Sequence, residues 1–136
     1  MLRKVSVFLL LTALTILTAC QTRQADEGNV KHVVICWLKD NSEQSKQEFI
    51  NAVHSLKSIP QTVNVSVGGI AKSVEPVADN SFDVAFIIDF NSKEDLDAYL
   101  VHPRHVSVVK KFLKPALKKV VVYDYKNSKE IKWVIK

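Results

Sequence analysis

The sequence predicts an α+β fold in which the order β-α-β-β-α-β builds a four-stranded antiparallel sheet with helices on one face, the ferredoxin-like arrangement. Three observations lead to this prediction. Four short segments are strongly apolar or alternate between apolar and polar residues, as strands do. Two longer segments repeat apolar residues at helical spacing behind capping side chains. The length of 136 residues, with only 3 Gly and 4 Pro, suits a single domain with short connections.

A change of periodicity marks the first strand and the first helix. Residues 30–38 are nearly continuously apolar, which predicts a strand buried on both faces. Asn41 and Ser42 then supply helix-capping side chains, and Pro60 stops the helix that follows. A single apolar stripe marks the buried face of this helix: Phe49, Ile50, Val53 and Leu56.

The second and third strands differ in the number of faces that are apolar. Apolar residues at every second position, Val63, Val65 and Val67, predict a second strand with one solvent-exposed face. Residues 75–81 contain Pro, Asp and Asn and are predicted to form a turn. Residues 82–90 are apolar on both faces apart from Asp83 and Asp89, which predicts a buried third strand.

The second helix is predicted to break and restart at a proline. Ser92 and Asp95 form a Ser-x-x-Asp capping pattern at its beginning. Pro103 cannot continue a helix from the preceding turn, but its fixed φ suits the first turn of a new helix. The helix should therefore break near His102, restart, and end at Pro115. This reset is expected to bring three side chains to one spot: Tyr99, His102 and His105.

The sheet has more apolar surface than its helices can cover. Residues 120–125 are predicted to form the fourth strand, and alternation within residues 127–136 indicates a fifth, peripheral strand or an arm. Three strands are apolar on both faces, whereas two helices cover only one face. A second copy of the same sheet, related by a two-fold axis, is the simplest way to bury the other face. The sequence therefore predicts a homodimer built as a closed barrel.

The N-terminus resembles a bacterial lipoprotein signal. Arg3 and Lys4 precede an uncharged, largely apolar run over residues 5–19, which is short for a membrane span of about 20 residues but suits a secretory signal. Small residues then precede Cys20, as in the lipobox. We therefore expect residues 1–19 to be a signal peptide and Cys20 to be the lipid-modified, acylated N-terminus. The alternative is an uncleaved anchor in which this cysteine is incidental.

These features predict a protein that is attached to the bacterial cell envelope by its lipid. The polar residues 20–29 are expected to form a tether between membrane and domain. Gln21 stands where an Asp is typical of inner-membrane retention, which favours the outer membrane, facing the periplasm. With Cys20 acylated, Cys36 has no partner for an internal disulfide, and its apolar surroundings predict a buried thiol.

Positive charge is concentrated in the C-terminal part of the chain. Residues 102–136 hold ten Lys or Arg and two acidic residues, whereas residues 20–101 hold seven basic and twelve acidic residues. No interleaving of aromatic and basic residues supports a nucleic-acid partner, and a secreted lipoprotein rarely meets nucleic acid. We therefore expect a solvated basic face, close to anionic lipid, and no nucleic acid.

The chain resembles the stress-responsive A/B barrel (Dabb) family of the dimeric α+β barrel superfamily. The most specific part of the resemblance is Tyr99-x-x-His102-Pro103-x-His105. Residues 30–126 are assigned to this domain, and residues 127–136 to a C-terminal extension. Further matches to the family pattern are Lys31-His32-Val33, Ile59-Pro60, Gly68, Asp83, Phe90, Pro115 and Asp124-Tyr125.

The resemblance implies which residues carry a function. One characterised plant member is a polyketide cyclase, in which the matching tyrosine and second histidine do acid–base work; here these are Tyr99 and His105. His32 resembles the cavity-facing histidine of the family's first strand, and with His102 it is a candidate ligand-binding residue. The plant enzyme has a further histidine in its third strand where this chain has Val84, so the substrate does not transfer.

The residue types suit proton transfer next to a carbonyl group. An imidazole with a pKa near 6.5 exchanges a proton at neutral pH, and a phenol with a pKa near 10 stays protonated and donates a hydrogen bond. His105 would then be the base and Tyr99 the donor, with no cofactor required. No metal site is expected, because the histidines lack the spacing of a metal motif. Structural roles compete with this hypothesis: His102 as a helix cap and Tyr99 as a core residue.

Three functions follow from these features. The preferred one is a lipid-anchored homodimer whose cavity binds a small hydrophobic molecule. The second is an enzyme of the cyclase or lyase type that uses His105 and Tyr99 as its acid–base pair. The third is an envelope protein whose dimer is architectural or docks a partner. The fold alone does not decide among them.

Overall fold

One antiparallel sheet organises the computed structural model, which describes residues 29–128. Its four strands are β1 (Val30–Leu38), β2 (Asn64–Gly69), β3 (Val84–Phe90) and β4 (Leu117–Lys126). Their order in the sheet is β2-β3-β1-β4, and each neighbouring pair is antiparallel. The predicted α+β, ferredoxin-like architecture is confirmed. The fifth strand or arm predicted after residue 126 falls largely outside the described residues.

The helices begin at the predicted capping residues. Helix α1 (Glu43–His54) starts at Ser42, whose side-chain oxygen accepts a hydrogen bond from the Ser45 N–H. It continues as a 3-10 turn over Ser55–Ser58, so its α-helical part ends well before Pro60. Helix α2 (Lys93–Leu100) starts at Ser92, whose hydroxyl oxygen accepts from the Asp95 N–H. Both caps satisfy donors that the first helical turn leaves without partners.

The second helical segment breaks at the predicted proline. Helix α3 (Pro103–Val108) has Pro103 in its first turn and is followed by a π-helical turn over Val109–Leu113. A last short turn, α4 (Lys114–Ala116), leads into β4. A new helix therefore starts at Pro103, and side chains that follow it, His105 and Val109 among them, line a cavity together with sheet residues.

The largest differences from the predicted strand boundaries are at the beginnings of β3 and β4. β3 begins at Val84, two residues later than predicted. Asp83 still contacts β1 just before the strand: its N–H donates to the Cys36 carbonyl and its carboxylate accepts from the Leu38 N–H. β4 begins at Leu117, three residues earlier than predicted, because it pairs along the whole length of β1. The lysines at its beginning hide this pairing from an apolar pattern.

The two faces of the sheet have different neighbours. Val34 pairs with Phe86 of β3 and with Val122 of β4, so these three side chains share the face that the helices cover. The opposite face carries Ile87, which is 37% exposed, and Tyr123, which is 61% exposed. It is apolar along its central strands, with Val33, Ile35, Trp37 and Ala85. No described helix covers this second face, which we call the open face.

None of the helices between residues 29 and 128 combines the length and the apolar character that a membrane span requires.

Candidate functional site

A cavity of about 250 Å³ lies between the helix-covered face of the sheet and the helices. Its wall is mostly apolar, with Val34 and Phe86 from the sheet and Val109 and Leu113 from the π-helical turn. Three hydrogen-bonding side chains enter this wall: His32, Tyr99 and His105. An apolar chamber with a few converging polar groups is the usual form of a small-molecule site.

The helix break brings Tyr99 and His105 together, as the sequence predicts. Tyr99 lies in the last turn of α2 and His105 in the first turn of α3. Their ring centroids are 4.5 Å apart, with the ring planes inclined by 46°. On one continuous helix, a separation of six residues would put them on different faces.

His102 does not join the other two at the cavity wall. It is the N-cap of α3, and its Nδ1 accepts a hydrogen bond from the Arg104 N–H at 3.2 Å. The cavity-lining side chains among the described residues do not include it. His102 therefore has the helix-cap role, one of the two roles that the sequence leaves open for it.

The hydrogen bond of His105 determines which of its ring nitrogens is available. Its Nδ1 lies 2.9 Å from the Leu100 carbonyl oxygen. Because a carbonyl oxygen only accepts, Nδ1 carries the hydrogen and Nε2 of the neutral ring has a free lone pair. Burial lowers the pKa of His105; the carbonyl bond opposes this, and the neighbouring His32 and His102 lower it further. Burial therefore favours the neutral form of the His105 ring, in which Nε2 can accept a hydrogen bond.

Tyr99 is both a core residue and a cavity residue. It is 1% exposed, and its ring packs 4.9 Å from that of Phe90. Burial raises the pKa of its hydroxyl well above the ordinary value, so the phenol stays protonated at neutral pH. The two roles proposed for Tyr99 from the sequence, packing and hydrogen-bond donation, are thus compatible in one position.

His32 reaches the cavity from the sheet. Its ring meets that of Tyr99 edge-on, with the centroids 6.2 Å apart. Its Nδ1 lies 2.6 Å from a carboxylate oxygen of Asp124, the residue directly opposite on β4. In the sequence, Asp124 stands out only as part of the family pattern. The signal that identifies it is the strand register, which places it beside a buried histidine.

The cysteine in the cavity wall is a buried, free thiol. Cys36 is 1% exposed and free, as predicted for a buried cysteine, and burial raises its pKa to about 12. The thiolate form is therefore scarce at neutral pH. Cys20, the predicted lipidation site, lies outside the described residues.

Within residues 29–128, no three His, Cys, Asp or Glu side chains are grouped so that they could hold a metal ion. Asp83, the carboxylate in the segment preceding β3, bonds the backbone at the end of β1 that lies away from His32.

Comparison with known sequences identifies relatives of one family. The sequence profile described as the Stress responsive A/B Barrel Domain matches residues 30–127. The stress-response A/B barrel domain-containing protein HS1 of Arabidopsis thaliana is 33% identical over 103 residues, which are 75% of this chain and 93% of HS1. DABB1 of the same plant is 34% identical over 83 residues, or 60% of this chain. The matched segments span only 39% of DABB1 and 36% of a third relative from that plant.

Several solved structures share the fold. A protein of Arabidopsis thaliana is 31% identical, has a TM-score of 0.65, and the match covers 75% of this chain and 98% of that one. A hydroxynitrile lyase from Passiflora edulis has a TM-score of 0.62 at 23% identity, with 75% and 95% covered. A dimeric ferredoxin-like protein of Thermobifida fusca has a TM-score of 0.60 at 20% identity, with 75% and 93% covered. The last two likenesses concern the fold alone.

Proposed function

The chain belongs to the stress-responsive A/B barrel domain family, and we propose that its domain binds a small hydrophobic molecule in the cavity between sheet and helices. The observation that carries this proposal is the grouping of His32, Tyr99 and His105 in an otherwise apolar wall. The apolar part of the wall would hold the body of the ligand. The three polar side chains would bind an end of the ligand that carries an oxygen atom. A volume of about 250 Å³ is just below the roughly 300–1,000 Å³ of common ligand pockets, which favours a small ligand.

Binding should depend on the hydrogen bond that His105 can accept. We expect 2-naphthol to bind the chain from residue 21, made without its lipid, more tightly than naphthalene by about 2- to 10-fold, since one net hydrogen bond contributes roughly 0.5–1.5 kcal/mol. Fluorescence titration measures both affinities. His105→Leu should abolish the preference for 2-naphthol, whereas the matched control His54→Gln, at an exposed position of α1, should keep it.

Native mass spectrometry of the same protein would identify any molecule retained from the cell. A retained mass of a few hundred daltons, displaced by 2-naphthol, agrees with the proposal. Two results together would refute ligand binding: 2-naphthol and naphthalene bind equally well to both wild type and His105→Leu, and the protein retains no molecule. The architectural or partner-docking function would then remain.

The second candidate is an enzyme that removes a proton next to a carbonyl group, as in cyclase or lyase chemistry. The tautomer of His105 favours it, because Nε2 is free to accept a proton. That proton would pass from carbon to Nε2, the electron pair would move to the carbonyl oxygen, and Tyr99 would stabilise this oxygen by a hydrogen bond. For a retained molecule that turns over, His105→Gln should lower the rate by about 10²- to 10⁴-fold; an unchanged rate would exclude this residue as the base.

We further propose that two copies pack their open faces together about a two-fold axis. The supporting features are the uncovered apolar side chains of that face and the dimeric state of the ferredoxin-like protein of Thermobifida fusca. The N-terminal lipid on Cys20, and with it attachment to the cell envelope at the outer membrane, stays a proposal from the sequence. Metabolic labelling with a palmitate analogue tests it: equal labelling of wild type and Cys20→Ser would remove it.

A further inference from the structure

We infer that Asp124 is a positioning residue that makes His32 a second hydrogen-bond and proton acceptor of the cavity, beside His105. The inference rests on the proposed ligand-binding function. It adds Asp124, a residue outside the cavity wall, to the site. It also raises the number of imidazoles expected to accept a hydrogen bond or proton from one to two.

The contact between Asp124 and His32 determines the state of the histidine ring. The carboxylate oxygen lies 2.6 Å from Nδ1, and the two residues are direct partners in the register of β1 and β4. An ionised carboxylate only accepts hydrogen bonds, so Nδ1 carries the hydrogen. The other ring nitrogen, Nε2, is then free of hydrogen in the neutral ring. The His32 side chain is 10% exposed and lines the cavity, so this nitrogen belongs to a largely desolvated group.

The same arrangement occurs twice around one phenol. His105 directs its Nδ1 to the Leu100 carbonyl, and His32 directs its Nδ1 to Asp124. The Tyr99 ring neighbours both imidazoles, at 4.5 Å from His105 and 6.2 Å from His32. One imidazole comes from helix α3 and the other from strand β1, and both line the same cavity. The neutral site therefore offers two acceptors and one hydroxyl donor.

A purely structural role would not require a carboxylate at this place. A buried imidazole needs one acceptor for its Nδ1–H, and a backbone carbonyl serves this purpose for His105. A carboxylate also stabilises the ring after it takes up a proton, because opposite charges then face each other. The Asp124 side chain is 43% exposed, so it remains hydrated while the ring that it orients is buried.

Nitrogen-15 NMR of the histidine rings tests the inference. The chain has only four histidines, so each ring can be assigned by substitution. We would record the full chain in detergent micelles at about pH 8, where an ordinary imidazole is neutral. In wild type we expect His32 to carry its hydrogen on Nδ1. In Asp124→Ala the His32 signals should shift towards the Nε2–H form, while those of His105 stay unchanged. The control Asp97→Ala removes an exposed ion pair on α2 and should change neither ring.

A second variant and a probe make the outcome decisive. Asp124→Val also removes the acceptor but favours a strand, so it covers the case in which the alanine variant does not fold. Added 2-naphthol should shift the Nε2 signals of both His32 and His105 in wild type. A His32 tautomer that is unchanged in the folded Asp124 variants, or a probe that shifts only His105, would overturn the inference. A probe that shifts neither ring would instead contradict the proposed ligand site, whatever the tautomer.

Discussion

Replacing Tyr99 by alanine is expected to lower the free energy of unfolding by about 3–5 kcal/mol, the range for deleting a buried aromatic ring. The ring is 1% exposed and packs against Phe90 from β3 and against His105 from α3. Its loss would leave a void where the sheet, α2 and α3 meet, and packed neighbours relax only partly into such a void. Urea denaturation followed by circular dichroism measures the effect.

Two control substitutions separate packing from hydrogen bonding at this position. Tyr99→Phe keeps the ring and should cost about 1 kcal/mol or less, while removing the donor that faces the cavity. Phe112→Ala removes an aromatic ring that is 59% exposed, and it should also cost much less than Tyr99→Ala. A loss below about 1 kcal/mol for Tyr99→Ala would contradict the central position that the structure gives to this residue.

Introducing a charge at Ile87 is expected to separate the proposed homodimer into monomers. Ile87 lies on β3 in the open face, paired with Val33 of β1. In Ile87→Asp, the two-fold axis would bury one carboxylate from each copy in an apolar interface without a partner. We expect the dimer to weaken by at least about 100-fold, or roughly 2.8 kcal/mol. Light scattering at micromolar concentration measures the change, with wild type as a dimer and the variant as a monomer.

A matched control distinguishes the interface from a general effect of charge. Val77→Asp places the same carboxylate on the connection between β2 and β3, where Val77 is 94% exposed, and it should leave the dimer intact. Wild-type protein that is monomeric at micromolar concentration would contradict the two-fold packing. An Ile87→Asp dimer of unchanged affinity would place the interface on another surface.

The residues that define the fold act over short distances, which is why the sequence predicts them. Ser42 and Ser92 cap the two helices through hydrogen bonds to residues three positions ahead. Pro103 breaks the second helical segment by its own ring geometry. The predicted strand ends are less accurate, because they depend on pairing between distant segments: β4 begins at Leu117, which pairs with Leu38 of β1.

The candidate site was only partly predictable for the same reason. The convergence of Tyr99 and His105 follows from a proline between them, and it is confirmed by their ring distance of 4.5 Å. The same local pattern left two roles open for His102, and the structure has it at the helix cap. Which nitrogen of His105 is free depends on the Leu100 carbonyl, whose direction is set by how the helix ends.

The sequence by itself determined the element order, the helix caps, the break at Pro103 and an apolar sheet with a helix on only one side, because each depends on side chains a few residues apart. Only the tertiary structure decided the pairing of His32 with Asp124, which are 92 residues apart. That contact is set by the register of β1 against β4, and a slip of one residue would turn the carboxylate to the open face. The order of the elements and the convergence of Tyr99 and His105 therefore follow from local patterns, whereas the partner of His32 follows from strand register.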